Sequence, residues 1–171
     1  MHRLLAIALL ASACAVGVAC DDSPTEPDKA AVHFTAQLLP ANEVPPVTNA
    51  EASGTGTAAI ELAIERSDSG TITAARADFQ VALTGFPAGT PVTMAHIHSG
   101  VTGASGGIVV GTGLEAGEIT LVGGAGSITK RSVVVDPSVA QQILDSPGSF
   151  YFNVHTVLNP TGVARGQLVR Q

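Results

Sequence analysis

From Val32 onward the chain alternates apolar and polar positions with a period of two. Val32, Phe34, Ala36 and Leu38 interleave with His33, Thr35 and Gln37. That is the pattern of a strand with one buried face, because successive side chains of a strand point to opposite sides. Ala58, Ile60, Leu62 and Ile64 interleave with Ala59, Glu61, Ala63 and Glu65, and Ala75, Ala77, Phe79, Val81 and Leu83 interleave with Arg76, Asp78 and Gln80. These segments predict two more half-buried strands. Further strands are expected at 90–98, 107–111, 118–122, 126–134, 149–156 and 163–170, divided by turn signals such as Ser69-Gly70, Phe86-Pro87-Ala88-Gly89 and Asn159-Pro160-Thr161-Gly162. One segment breaks the period. Asp136 supplies an N-cap, Pro137 suits the first helical position and Ser138 to Leu144 tolerate a helix, so a short helix is expected there, covering one end of the fold. The whole pattern predicts an all-β domain: a Greek-key β-sandwich or barrel, immunoglobulin-like or superoxide-dismutase-like, with one short helix.

The N-terminal stretch is patterned differently. Met1-His2-Arg3 carries one fixed positive charge, Leu4 to Leu10 is an unbroken apolar run and Ala11 to Ala19 is rich in small residues, the three regions of a signal peptide. The run ends in Gly17-Val18-Ala19-Cys20 and turns polar at Asp21-Asp22-Ser23-Pro24. This junction resembles the lipobox of bacterial lipoproteins, which implies lipidation of Cys20 and anchoring to a membrane. Cys14, after Ala11-Ser12-Ala13, is the alternative lipidation site, and a plain secretory signal cut near Ala19 would export the chain without a lipid. The expected organisation is a signal peptide over 1–20, a disordered tether over 21–31 and one β domain over 32–171. The expected location is the bacterial cell envelope, with the membrane leaflet unassigned, or secretion if no lipid is added.

Composition narrows the partners. The formal charge is −6 and the chain has only two lysines, Lys29 and Lys130, which argues against nucleic acid, since phosphates are neutralised by clustered Lys and Arg. Cations fit this balance better. Cys14 and Cys20 are the two cysteines, so the domain itself has no thiol for a disulfide or a thiolate metal site. Aromatic residues are 4% of the chain, with no Trp, and the core must be built from Val, Leu, Ile and Ala. The glycine-rich stretches 103–107 and 123–126 lack the lysine of a phosphate-binding loop, no G-x-S-x-G elbow occurs, and no carboxylate pair stands out as a glycosidase would need.

Polar residues concentrate in three segments: Asn42-Glu43-Val44-Pro45-Pro46, Ala95-His96-Ile97-His98-Ser99-Gly100, and Tyr151-Phe152-Asn153-Val154-His155-Thr156 continuing to Gly162-Val163-Ala164-Arg165-Gly166-Gln167-Leu168. In this order and spacing they resemble the CHRD domain, the repeat first described in chordin, with Ala164 standing where the family usually carries Glu. The resemblance implies an extracellular or envelope β domain and brings little function with it; the first expectation for the chain is a non-catalytic binding or structural module with an extracytoplasmic protein as partner.

Strand alternation sets His96 and His98 on one face, Tyr151, Asn153 and His155 on another, and Arg165 with Gln167 on one side of the last strand. The polar sets are expected to face outward. Two readings follow. In one, His96, His98 and His155 converge as an open three-imidazole site for Cu or Zn, metal-binding or redox in function; the His96-Ile97-His98 step is similar to the His-x-His copper strand of copper-zinc superoxide dismutase. In the other, the histidines hydrogen-bond to the backbone of residues 42–46 and to Asn153 and act as a mechanical latch, with Glu43, Tyr151, Asn153, Arg165 and Gln167 as its other members. Glu43 is expected either as a ligand or Arg165 partner, or as an exposed loop carboxylate. His33 is expected on the surface. No catalytic residue is identified.

Overall fold

The computed structural model describes residues 28–171. Among these residues ten strands form two antiparallel sheets packed face to face, with one α-helix against them, a sandwich and not a closed barrel. The first sheet contains β1 (Asp28–Leu38), β2 (Thr55–Arg66), β3 (Ile72–Thr84), β7 (Gly126–Val135) and β10 (Val169–Arg170), in the order β10-β1-β2-β3-β7. The second runs β5 (Ile108–Gly111), β4 (Thr90–Ser99), β8 (Phe150–Thr156), β9 (Ala164–Gln167), and β6 (Ile119–Leu121) joins the other half of the free edge of β4.

The alternation read from the sequence is the alternation of burial. Phe34, Leu38, Ile60, Leu62, Phe79 and Val81 from the first sheet meet Ile97, Phe152 and Val154 from the second in one core, while Glu61, His33 and Gln80 face solvent. Helix α1 (Pro137–Asp145) starts where Asp136 caps it, accepting from the backbone N–H groups of Ser138 and Val139, and packs against β3 through buried Ala140 and Ile143.

Three expectations need correction. Strand β1 begins at Asp28 and not at Val32: residues 28–31 pair with 63–66, so the last four residues of the expected tether are sheet, because β2 runs on to Arg66 and supplies a partner for each of them. The expected single strand 163–170 is two. Residues 164–167 pair with β8 in the second sheet, whereas Val169 and Arg170 pair with β1 in the first; Leu168, buried in the core, marks the crossing. Gly166 permits it, since a Cβ there would lie 2.1 Å from the carbonyl oxygen of Gln37. Finally, β8 is buried on both faces. The loops at 39–54, 100–107 and 157–163 fold over the polar face of the second sheet, so its polar residues are enclosed and do not face water.

Candidate metal centre

Antiparallel register places the polar side chains of the second sheet in rows. His96 on β4 pairs with Asn153 on β8, which pairs with Arg165 on β9. In the next row His98 pairs with Tyr151, which pairs with Gln167. His155 lies two residues beyond Asn153 on the same face. The three histidines converge: ring centroids are 4.4 Å apart for His96 and His155 and 4.5 Å apart for His96 and His98. One ring nitrogen from each lies within 4.8 Å of the other two.

The tautomers follow from hydrogen bonding. His98 Nδ1 lies 2.8 Å from the Gly106 carbonyl oxygen and His155 Nδ1 lies 3.0 Å from that of Pro160. A carbonyl only accepts, so both Nδ1 atoms carry the proton and both Nε2 atoms present a lone pair. Nε2 of His96, His98 and His155 are all buried with no hydrogen-bond partner among the described residues. Burial and the neighbouring rings push His96 down to about 3, and burial lowers His98 and His155 as well. Clustered neutral imidazoles, two of them held by backbone carbonyls, are an arrangement in which a metal ion finds its ligands already deprotonated and oriented. A tetrahedral ion bound at about 2.0–2.1 Å holds its nitrogens roughly 3.4 Å apart, a spacing inside the 4.8 Å that bounds the present separations.

Around this trio stands a second buried group. Arg165 is 3% exposed; its Nε donates to the Asn42 carbonyl at 2.6 Å, its Nη1 donates to the Ala104 carbonyl at 3.0 Å, and its guanidinium lies 4.6 Å from the centre of the Tyr151 ring. Tyr151 in turn stacks on His98, with planes 2° from parallel. Asn42 Nδ2 donates to the Arg165 carbonyl, closing a reciprocal pair. Gln167 Nε2 donates to the carbonyls of Gly100, Gly148 and Phe150. Glu43 lies 3.9 Å from Arg165 Nε, and burial pushes its carboxyl up to about 7 against the opposing pull of Arg165. Gly162, at φ +135°, leaves room here: a Cβ would come within 3 Å of both Glu43 carboxylate oxygens and of Asn153 Nδ2.

Of the expected latch members Arg165 and Gln167 do bind the loops, Asn42 joins them, and the histidines bond elsewhere. Arg165, Asn42 and Gln167 tie the loops down; the histidines bond neither to residues 42–46 nor to Asn153, because they reach the carbonyls of Gly106 and Pro160 instead. Glu43 is buried and not an exposed loop carboxylate. His33 is exposed as expected, and Cys14 and Cys20 lie outside the described residues. Glu51 went unforeseen: it is buried and accepts from Thr156 Oγ1 and Asn159 Nδ2, holding the turn that carries Pro160 to His155.

The CHRD-domain family model matches residues 34–168. The chain belongs to the CHRD-domain family. The match runs from the first core residue of β1 to the crossing at Leu168 and takes in every residue of the histidine cluster and its latch. No curated protein and no solved structure matches the chain.

The pH dependence of the metal-free CHRD domain follows from these groups. The three rings bind protons less readily folded than unfolded, so on their account stability is full above about pH 6.5 and is lost as pH falls toward the folded value of His96, about 3. Glu43 acts oppositely: with its folded value about 7 against an ordinary 4.5, its contribution is full below about pH 4.5 and is lost as pH rises through 7. Three imidazoles outweigh one carboxyl. Urea unfolding in chelator is expected to give lower stability at pH 5 than at pH 7, and Glu43→Gln should steepen that fall. Equal or greater stability at pH 5 would contradict the burial of neutral rings.

Proposed function

We propose that this CHRD domain is a non-catalytic metal-binding module of the bacterial cell envelope, holding Cu or Zn through Nε2 of His96, His98 and His155. The observation that carries the reading is the convergence of three imidazoles whose Nε2 atoms are all buried and unpartnered, two of them on rings whose other nitrogen is fixed to a backbone carbonyl. A purely mechanical role would leave such lone pairs satisfied, since an unpaired buried polar group costs about 1–3 kcal/mol. The acidic balance of the chain supports a cation as the ligand. Export and a lipid on Cys20 are supported by the n-, h- and c-regions and the Gly17-Val18-Ala19-Cys20 junction. The latch around Arg165 and Gln167 has a separate, structural task, keeping the loops closed over the site.

Thermal unfolding of the purified protein with and without added Cu²⁺ or Zn²⁺ tests this. Metal at a hundredfold excess over Kd stabilises by about 2.7 kcal/mol, which for a chain of this size raises Tm by roughly 5–10 °C. The triple variant His96→Ala/His98→Ala/His155→Ala should fold yet lose both the shift and any bound metal. If no first-row ion moves Tm of the wild type, the site is not a metal centre.

A further inference from the structure

We infer that Met94 is a fourth ligand at this site, and that its thioether beside three imidazoles turns the centre toward copper in the cuprous state. The inference rests on the three-histidine reading and names the ion within it.

Placement comes from a bulge. Val92 is opposite Thr156 and Met94 is opposite His155, with the register shifting between them, so Thr93 is the extra residue. Simple alternation from Val92, which faces the core, would have turned Met94 into the core too. With the bulge, Ala95 and Ile97 face the core, and Met94, His96 and His98 share the outer face. Directly opposed residues in an antiparallel pair have Cβ atoms about 4.5–5.5 Å apart, within the span of an unbranched methionine side chain. His155 is thus bracketed on β4 by Met94 opposite and by His96 one step along the same face.

Packing does not account for a methionine here. Met94 is 43% exposed, whereas the rest of the apolar side chains on β4, Val92, Ala95 and Ile97, are buried. It is also the sole methionine besides Met1. The thioether is uncharged, takes up no proton that must be displaced, and is a soft donor; sites of imidazole with thioether select Cu(I), whereas Zn²⁺ draws its sulfur ligands from thiolates. The described part of the chain has no cysteine, so Met94 is its only sulfur. The lid of loops encloses His96 and His155, each 4% exposed, and leaves Met94 at the rim, where an ion would meet it first.

Competition titrations of the purified protein decide the matter, using Cu(I) under reductant against a chromophoric cuprous chelator and Zn²⁺ against a zinc indicator, for wild type and Met94→Leu. Because Met94 is exposed, Met94→Leu should keep the metal-free Tm. Cu(I) affinity is expected to fall about tenfold or more, Zn²⁺ affinity to stay within about twofold, and the sulfur scatterer seen by X-ray absorption in the Cu(I) wild type to disappear. Unchanged Cu(I) affinity in the variant, or an equal loss for both ions, overturns the role of Met94 while leaving the three-histidine site standing. Wild type that binds neither ion overturns both.

Discussion

Arg165→Met should lose about 3–5 kcal/mol of stability, a fall in Tm of roughly 6–20 °C for a chain of this size. The methionine nearly fills the volume but donates nothing, so the carbonyls of Asn42 and Ala104 lose their donors and the Glu43 carboxyl loses the cation beside it. The ion pair alone does not set the magnitude, since desolvation offsets most of its attraction. The cost comes from stranding three acceptors beneath closed loops. Arg165→Lys should recover little of it, because an ammonium cannot address two carbonyls and lie flat on Tyr151 at once. Chemical denaturation measures the loss, and proteolysis within residues 39–54 or 100–107 reports whether the loops have opened. A stability change under about 1 kcal/mol would mean that the loops are held elsewhere.

Phe152→Ala is expected to cost a comparable 3–5 kcal/mol by a different route. Phe152 sits at the centre of β8, fully buried, with its ring centroid 5.8 Å from that of Phe79 across the sandwich. With so few aromatics in the chain, no neighbour can move in to fill the space, and the cavity persists. Phe152 faces the core while Asn153 and Tyr151 face the histidines, so the variant that remains folded should still take up metal. Equilibrium unfolding gives the first quantity and metal content the second; loss of metal from folded Phe152→Ala would show that the two faces of β8 are coupled.

The β architecture was legible because burial obeyed period two almost everywhere. Where it failed, the cause was tertiary. Nothing in Val163 to Arg170 announces that the chain changes sheets at Leu168; the clue was a pair of glycines, Gly162 and Gly166, whose need for space is visible only once Glu43, Asn153 and Gln37 are in place. The convergence of His96, His98 and His155 could be guessed from strand parity, and the guess held. Their partners could not, since Gly106 and Pro160 contribute only main-chain oxygens, and main-chain oxygens leave no mark on a sequence. Strict alternation groups Met94 with His96 and His98 but also with the core residue Val92, and only the bulge at Thr93 separates the two sets. The enclosure of the polar face depended on three loops that no periodicity describes.

The split of the last strands also orders events in time. Strand β10 completes the sheet that begins with β1, and β9 completes the sheet that carries the histidines, so neither sheet is finished until residues 150–170 are available. Pairings of such long sequence separation form slowly. The three imidazoles therefore come together only after residues 150–170 have joined both sheets, and an ion that needs all three must wait for that last step.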